Sequence, residues 1–191
     1  MILPVVAHGH PVLKQVGVDF EKTDPALPQL ILDMFETMYA SSGVGLAGQQ
    51  VGQTKRIFVI DATPFAEDGE DTAGFRKVFI NPRITGFNGD EIPFEEGCLS
   101  FPGLREVVER PEKVRIQYYD ENWNFHDEEH SGVVARIIQH EYDHVEGVVF
   151  VDRISKLRRT LINRRLRDIS EGKVEADYRM VFARPKKGKK M

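Results

Sequence analysis

Residues 131–147 read SGVVARIIQHEYDHVEG, and the reading of this stretch decides the fold. His140, Glu141 and His144 stand in the pattern HExxH. On an α-helix, positions i and i+4 lie one turn apart on the same face, so two imidazoles at this spacing grip one metal ion while Glu141 faces its open side. The helix is announced locally. Ser131 is placed to cap its start, Val133, Val134, Ala135, Ile137 and Ile138 form two adjoining apolar rows, and Gly147 offers a left-handed stop. A helix this apolar is expected to be buried, with the rest of the chain packed around it. Two histidines and a glutamate turned inward carry a desolvation cost that a divalent cation offsets. A solvated pair of histidines, or satisfied core residues, would give the same pattern, so the metal reading requires a third ligand.

The 191 residues suit one domain with a substantial core. A net charge of −4 argues against wholesale nucleic-acid binding, although the C-terminal part is basic. No apolar run reaches membrane-spanning length, and the opening MILPVVAHGHPVL lacks the charged lead-in and long apolar segment of a secretion signal. A cytoplasmic protein with no membrane partner is the expectation. Cys98 is the single cysteine, which excludes an internal disulfide and leaves packing, reactivity or metal ligation as its use.

Upstream of the histidines, Gln29 to Ala40 carries apolar residues at Leu30, Ile31, Met34, Phe35, Met38 and Tyr39, the spacing of an amphipathic helix that Ser41, Ser42 and Gly43 end. GVGLAGQQVG, Gly43 to Gly52, is too rich in glycine to continue the helix and too apolar for a free linker. It suits close approach of backbone to a ligand. It lacks the GK[ST] ending of a P-loop, and a nucleotide site is not expected. Arg56–Asp61 and Lys77–Asn81 are short β-rich runs separated by Ala62–Gly74, expected as an exposed acidic loop. Ile84–Phe87 and Ile92–Glu95 flank Asn88-Gly89, a dipeptide that suggests a hairpin. Lys113–Asp120 alternates Val114, Ile116 and Tyr118 against Lys113, Arg115 and Gln117, one buried face and one wet. The strands therefore point to antiparallel pairing. Ser155–Ile169, with Ile154 just before it, sets Ile154, Leu157, Leu161, Ile162, Leu166 and Ile169 opposite many arginines, a C-terminal helix. The fold class is α+β: antiparallel sheets packed around a central metal-binding HExxH helix, with a C-terminal helix. Residues 1–183 are expected to form a single catalytic domain, and 184–191 a basic, disordered tail.

Cys98 lies in EEGCLSFPG, between Gly97 and a Pro-Gly turn, and can reach the helix from the sheet. Its thiolate would complete a His2Cys set, leaving a fourth tetrahedral position open as catalytic sites do. Zinc and ferrous iron both accept mixed imidazole and thiolate ligands. Three segments together, GVGLAGQQ at Gly43–Gln50, EGCLS at Glu96–Ser100 and QHEYDHVEG at Gln139–Gly147, resemble the peptide deformylases in content, order and separation, over roughly Val5 to Ile169. Gly48 stands where that family usually has alanine, and Val145 where it usually has leucine, both small apolar exchanges.

The resemblance implies a metal-dependent hydrolase that removes the formyl group from the N-terminal formylmethionine of newly made polypeptides. It implies Cys98, His140 and His144 as metal ligands, Glu141 as general base and acid, and Gln50 and the Leu99 N–H as oxyanion donors. Gly45 resembles the glycine whose backbone pairs with the bound peptide, and Val44, Leu46, Ile137 and Ile138 are candidates for the wall that holds the methionine side chain. Arg105 and Arg110 follow at family-like spacing, as supports of the site or as structural ion pairs. One divalent ion is implied, Fe2+ natively, with Zn2+ or another divalent ion able to replace it. The basic C-terminal helix and tail would suit a ribosome contact or simply a solvated face. A zinc endopeptidase or aminopeptidase shares HExxH but takes His or Glu as third ligand, and a binding module without turnover would need neither Gln50 nor Glu141.

Overall fold

In the computed structural model, which describes residues 1–68 and 72–183, a five-stranded antiparallel sheet carries a helix on each face. The sheet runs in the order β2 (Gly45–Ala47), β3 (Ile57–Asp61), β4 (Arg76–Gly97), β5 (Arg105–Tyr119) and β6 (Phe125–Ser131). Helix α1 (Leu27–Ala40) covers one face, and α2 (Gly132–Val145), the HExxH helix, covers the other. The period-2 geometry of strands explains why β3 reads as an unbroken apolar run. Ile57 and Val59 point to Met34, Phe35 and Met38 of α1, whereas Phe58 and Ile60 point to the α2 side. On β5, Val114, Ile116 and Tyr118 face α2 as their alternation predicts.

Helix α1 ends in a Schellman arrangement, with Gly43 N–H donating to Met38 O at 2.9 Å and Ser42 in the left-handed region at φ 56°. The turn therefore leads from Gly43 through Val44 into β2, at the edge of the sheet. Gly43, Gly45 and Gly48 fall in G-x-G-x-x-G spacing, the pattern of a dinucleotide-binding turn. They follow a helix and enter an edge strand and a 3-10 turn (Gly48–Val51), so the strand-to-helix turn that cradles phosphates is not formed.

Asn88-Gly89 makes a bulge and not the expected hairpin turn. β4 pairs with β5 from Ile80↔Tyr119 to Gly97↔Arg105, with register shifts at 80–83, 84–86 and 88–91. Gly89 adopts φ 79° at the last of these, opposite Glu112 and Pro111, and the chain continues in the same direction. The true turn lies at Cys98–Leu104, so the cysteine sits at the tip of a long hairpin that the bulges bend across the end of α2. Gln139 of α2 supplies a link: its amide donates to Pro111 O at 2.9 Å, where proline interrupts the β5 ladder.

The third helix, α3 (Lys156–Ser170), is capped by Ser155, whose side chain accepts from Arg158 N–H at 3.1 Å. Its apolar stripe is narrower than expected. Ile162, Leu166 and Ile169 pack on Val6, Leu13, Phe101 and Phe150, but Leu157 and Leu161 are 72% and 67% exposed. Beyond α3 the chain returns, and β7 (Met180–Val181) pairs with β1 (Val5–Val6) in parallel, a small sheet the antiparallel expectation omitted. Ser131 stands at the N-cap of α2, yet its side chain makes no capping bond. In the described part of Ala62–Gly74, which includes a 3-10 turn (Thr63–Asp68), Thr63, Pro64, Ala73 and Gly74 are exposed as expected, but Ala62 and Thr72 are buried and Phe65 partly so. The basic tail, 184–191, lies outside the described residues.

Candidate metal centre

Helix α2 presents His140 and His144 one turn apart, their ring centroids 5.3 Å from each other and inclined at 72°. The hairpin tip brings Cys98 to them, with Sγ 3.3 Å from His144 Nε2. One donor atom from each of the three residues lies within 4.8 Å of the others. For metal bonds of ordinary length, neighbouring sulfur and nitrogen ligands of a tetrahedral ion stand roughly 3.5 Å apart, so the set fits a divalent ion with a face left free. Among the described residues no other His, Cys, Asp or Glu group has this property.

The imidazole of His140 is oriented from behind. Its Nδ1 lies 2.8 Å from Glu96 Oε2, so Nδ1 donates and Nε2 is left bare to ligate. Glu96 is in turn held by Arg110, whose Nε and second guanidinium nitrogen donate at 2.6 and 3.0 Å, and by Arg136 at 3.1 Å. Arg110 also reaches Asp143 at 2.7 Å, and Asp143 pairs with Arg153. Burial works to raise the Glu96 carboxyl, but the bonds from His140 and Arg110 and the Arg110 charge outweigh it and keep it well below the usual carboxylate range. Removing one member of a buried network such as this strands a charge, a loss of about 3–5 kcal/mol. Arg110 is thus a buried support of the site, while Arg105 borders the cavity in front of it.

Glu141 is buried, its Oε2 has no hydrogen-bond partner, and burial pushes its carboxyl up to about 7. A Cβ at Gly45 would fall on this carboxylate, so only glycine lets β2 pass so close to it. Gln50 is fixed by its own oxygen, which accepts from Ala47 N–H at 2.8 Å, and its amide Nε2 points at Cys98 Sγ from 3.4 Å. The Leu99 N–H belongs to the peptide that follows Cys98. Glu141, Gln50, Leu99 and all three candidate ligands are therefore gathered at one place.

In front of them opens a cavity of about 600 Å³. Val44 and Ile137 lie on its wall, joined by Phe65, Phe94 and Val133. The other two expected wall residues are elsewhere. Leu46 alternates away from Gly45 and Ala47 into the α1 cluster. Ile138 is turned about 100° from Ile137 around the helix, into the sheet core. Sequence reasoning also passed over Glu96, Arg136 and Tyr178. Glu96 was visible inside the EGCLS segment; Tyr178 carries no local signal, since it reaches the cavity from beyond α3.

The family model described as polypeptide deformylase matches residues 2–160. A peptide deformylase of Christiangramia forsetii is 50% identical over 99% of this chain and 100% of its own length. One from Cytophaga hutchinsonii is 51% identical over 95% and 98%. Among solved structures, a peptide deformylase from Ehrlichia chaffeensis superimposes with a TM-score of 0.79 at 35% identity, covering 88% of this chain and 96% of that one. Another, from Synechococcus elongatus in complex with actinonin, gives 0.74 at 39% identity, covering 94% and 92%.

Proposed function

The chain belongs to the peptide deformylase family of metal-dependent hydrolases that remove the N-formyl group from new polypeptides and release formate, and from this premise we propose the following roles for its residues. Cys98, His140 and His144 hold the metal ion. Their single thiolate and two imidazoles suit Fe2+, which we take as the native ion, and also Zn2+ or another divalent ion. When bound, the ion polarises the formyl group and acidifies water beside it. Glu141 takes the proton of the attacking water and passes it to the amine as the carbon–nitrogen bond breaks, which a buried carboxylate near neutrality is suited to do. The Gln50 amide and the Leu99 N–H meet the charge that develops on the formyl oxygen. The peptide backbone lies along the open edge of β2 at Gly45, and the methionine side chain enters the apolar wall around Val44 and Ile137.

The observation that carries this reading is the unpartnered Glu141 carboxylate beside three convergent ligand atoms on the floor of an apolar cavity. It is tested with protein purified anaerobically. Formyl-Met-Ala-Ser should release formate, whereas acetyl-Met-Ala-Ser, whose added methyl group crowds the reacting carbon, should be cleaved at least about 100-fold more slowly, within the range by which binding sites discriminate close analogues. Equal cleavage of the two would overturn it.

We read residues 1–183 as one catalytic domain working in the cytoplasm, where nascent formylated chains arise. No helix among the described residues is long and apolar enough to cross a membrane. The ribosome contact falls to the exposed face of α3, where ion pairs on the helix and just before it occupy part of the basic charge. Arg153, Arg158 and Arg159 are engaged by Asp143, Glu106 and Asp152, and Arg165 donates to Pro102 O. Lys156, Arg164 and Arg167 supply the charge instead. Co-sedimentation with ribosomes should fall steeply as salt rises, and salt-independent or absent co-sedimentation would remove the assignment.

A further inference from the structure

Three consecutive carbonyls at the hairpin tip each have a donor. Cys98 O accepts from Phe101 N–H at 2.8 Å, Ser100 O from His8 N–H at 2.9 Å, and Leu99 O from the Tyr178 hydroxyl at 2.8 Å. The first two donors are backbone groups of elements the fold already fixes. The third is a side chain from the far end of the described chain, beyond residue 160 where the family match stops. A residue's φ and ψ are set when both peptide planes that flank it are held. For Leu99 these are the Cys98–Leu99 plane, held by Phe101, and the Leu99–Ser100 plane, held by Tyr178. The Leu99 N–H lies in the first plane, which the Phe101 bond holds at the Cys98 O end alone, and fixing the second plane removes the rotations about Leu99 by which the first could still tilt.

Tyr178 is itself well anchored. The neighbouring Arg179 O accepts from Val5 N–H and Val181 O from Ala7 N–H, both at 2.8 Å, and Met180 and Val181 pair with Val5 and Val6. Its ring borders the cavity beside the Cys98–Leu104 turn. Burial, with the nearby Cys98 sulfur second, pushes the phenol up to about 12, so it stays a donor across the working pH range.

We propose that Tyr178 is a positioning residue of the reaction: it clamps Leu99 so that the N–H of this residue is preorganised toward the formyl oxygen, and thereby couples the C-terminal strand β7 to catalysis. The proposal rests on the assignment of Leu99 as an oxyanion donor. Preorganised donors act on the transition state and contribute little to ground-state binding, which separates this role from a packing role.

Tyr178→Phe removes one hydroxyl and keeps the ring. With formyl-Met-Ala-Ser, kcat should fall about tenfold, less than the 10²–10³-fold loss on deleting an oxyanion donor outright. KM should stay within about twofold, because binding that is equal in ground and transition states is untouched. Metal content should stay at the wild-type level. A kcat within about twofold of wild type would overturn the proposal, as would a loss that tracks metal release or appears only in KM. Wild-type protein that releases no formate would overturn the reading of the site itself, and this proposal with it.

Discussion

Glu141→Gln should keep its metal and lose about 10⁴-fold or more in kcat, at or above the upper end of what a positioned general base contributes. The substitution preserves size and helix propensity, and it leaves Cys98, His140 and His144 untouched. What it removes is the carboxylate that stands beside Cys98, His140 and His144 without a hydrogen-bond partner at Oε2, the group placed to take a proton from water and return it to the amine. The same carboxylate serves both transfers, so its loss is felt twice in one turnover. KM should change little, since the peptide is held by β2 and the apolar wall. Stability supplies a second readout in metal-free protein. The buried Glu141 carboxyl is raised from an ordinary 4.5 to about 7, so between these values the folded state binds more protons than the unfolded state. Wild-type protein therefore loses stability through this group as pH rises across that window, and Glu141→Gln does not. A variant that holds its metal and deformylates within about tenfold of wild type, well short of a general base's worth, would refute the role.

Cys98→Ser should release the metal. A neutral hydroxyl replaces an anionic soft ligand, shortens the reach from the hairpin tip, and leaves the Gln50 amide without the sulfur it faces at 3.4 Å. Loss of an outer-shell partner typically weakens metal affinity about 10- to 100-fold, and loss of a ligand should exceed that. Activity should vanish on dialysis against a mild chelator and return only in large metal excess. The folded chain should survive, because Cys98 is at the edge of its apolar cluster and not in its interior. Full activity with stoichiometric metal after dialysis would exclude Cys98 as a ligand.

The parts of this fold that could be read in the sequence are those whose physics is local and periodic. Val114, Ile116 and Tyr118 announced a half-buried strand, the spacing of Met34, Phe35 and Met38 announced α1, and His140 with His144 announced the metal face of α2. Features that depend on tertiary context were missed. Asn88-Gly89 has the composition of a hairpin turn, but a left-handed glycine serves a bulge equally well, and only the pairing of β5 along the whole of β4 decides between them. Leu157 and Leu161 satisfy an i, i+4 spacing with each other, yet they lie roughly a third of a turn around the helix from Ile162, Leu166 and Ile169, which alone face the core. The tie from Glu96 to His140 spans 44 residues and that from Tyr178 to Leu99 spans 79, so neither leaves a pattern in any short window. For the pocket, strand alternation placed Leu46 on the face opposite Gly45, a distinction that required the start of β2 to be known.

Metal titration tests the central claim most directly. Wild-type protein stripped with chelator and titrated with Fe2+ under anaerobic conditions should recover formate release from formyl-Met-Ala-Ser linearly, with a break at one ion per chain, as the single Cys98, His140, His144 set requires. Full formate release by the stripped protein without added metal, or a break that Cys98→Ser leaves in place, would contradict it.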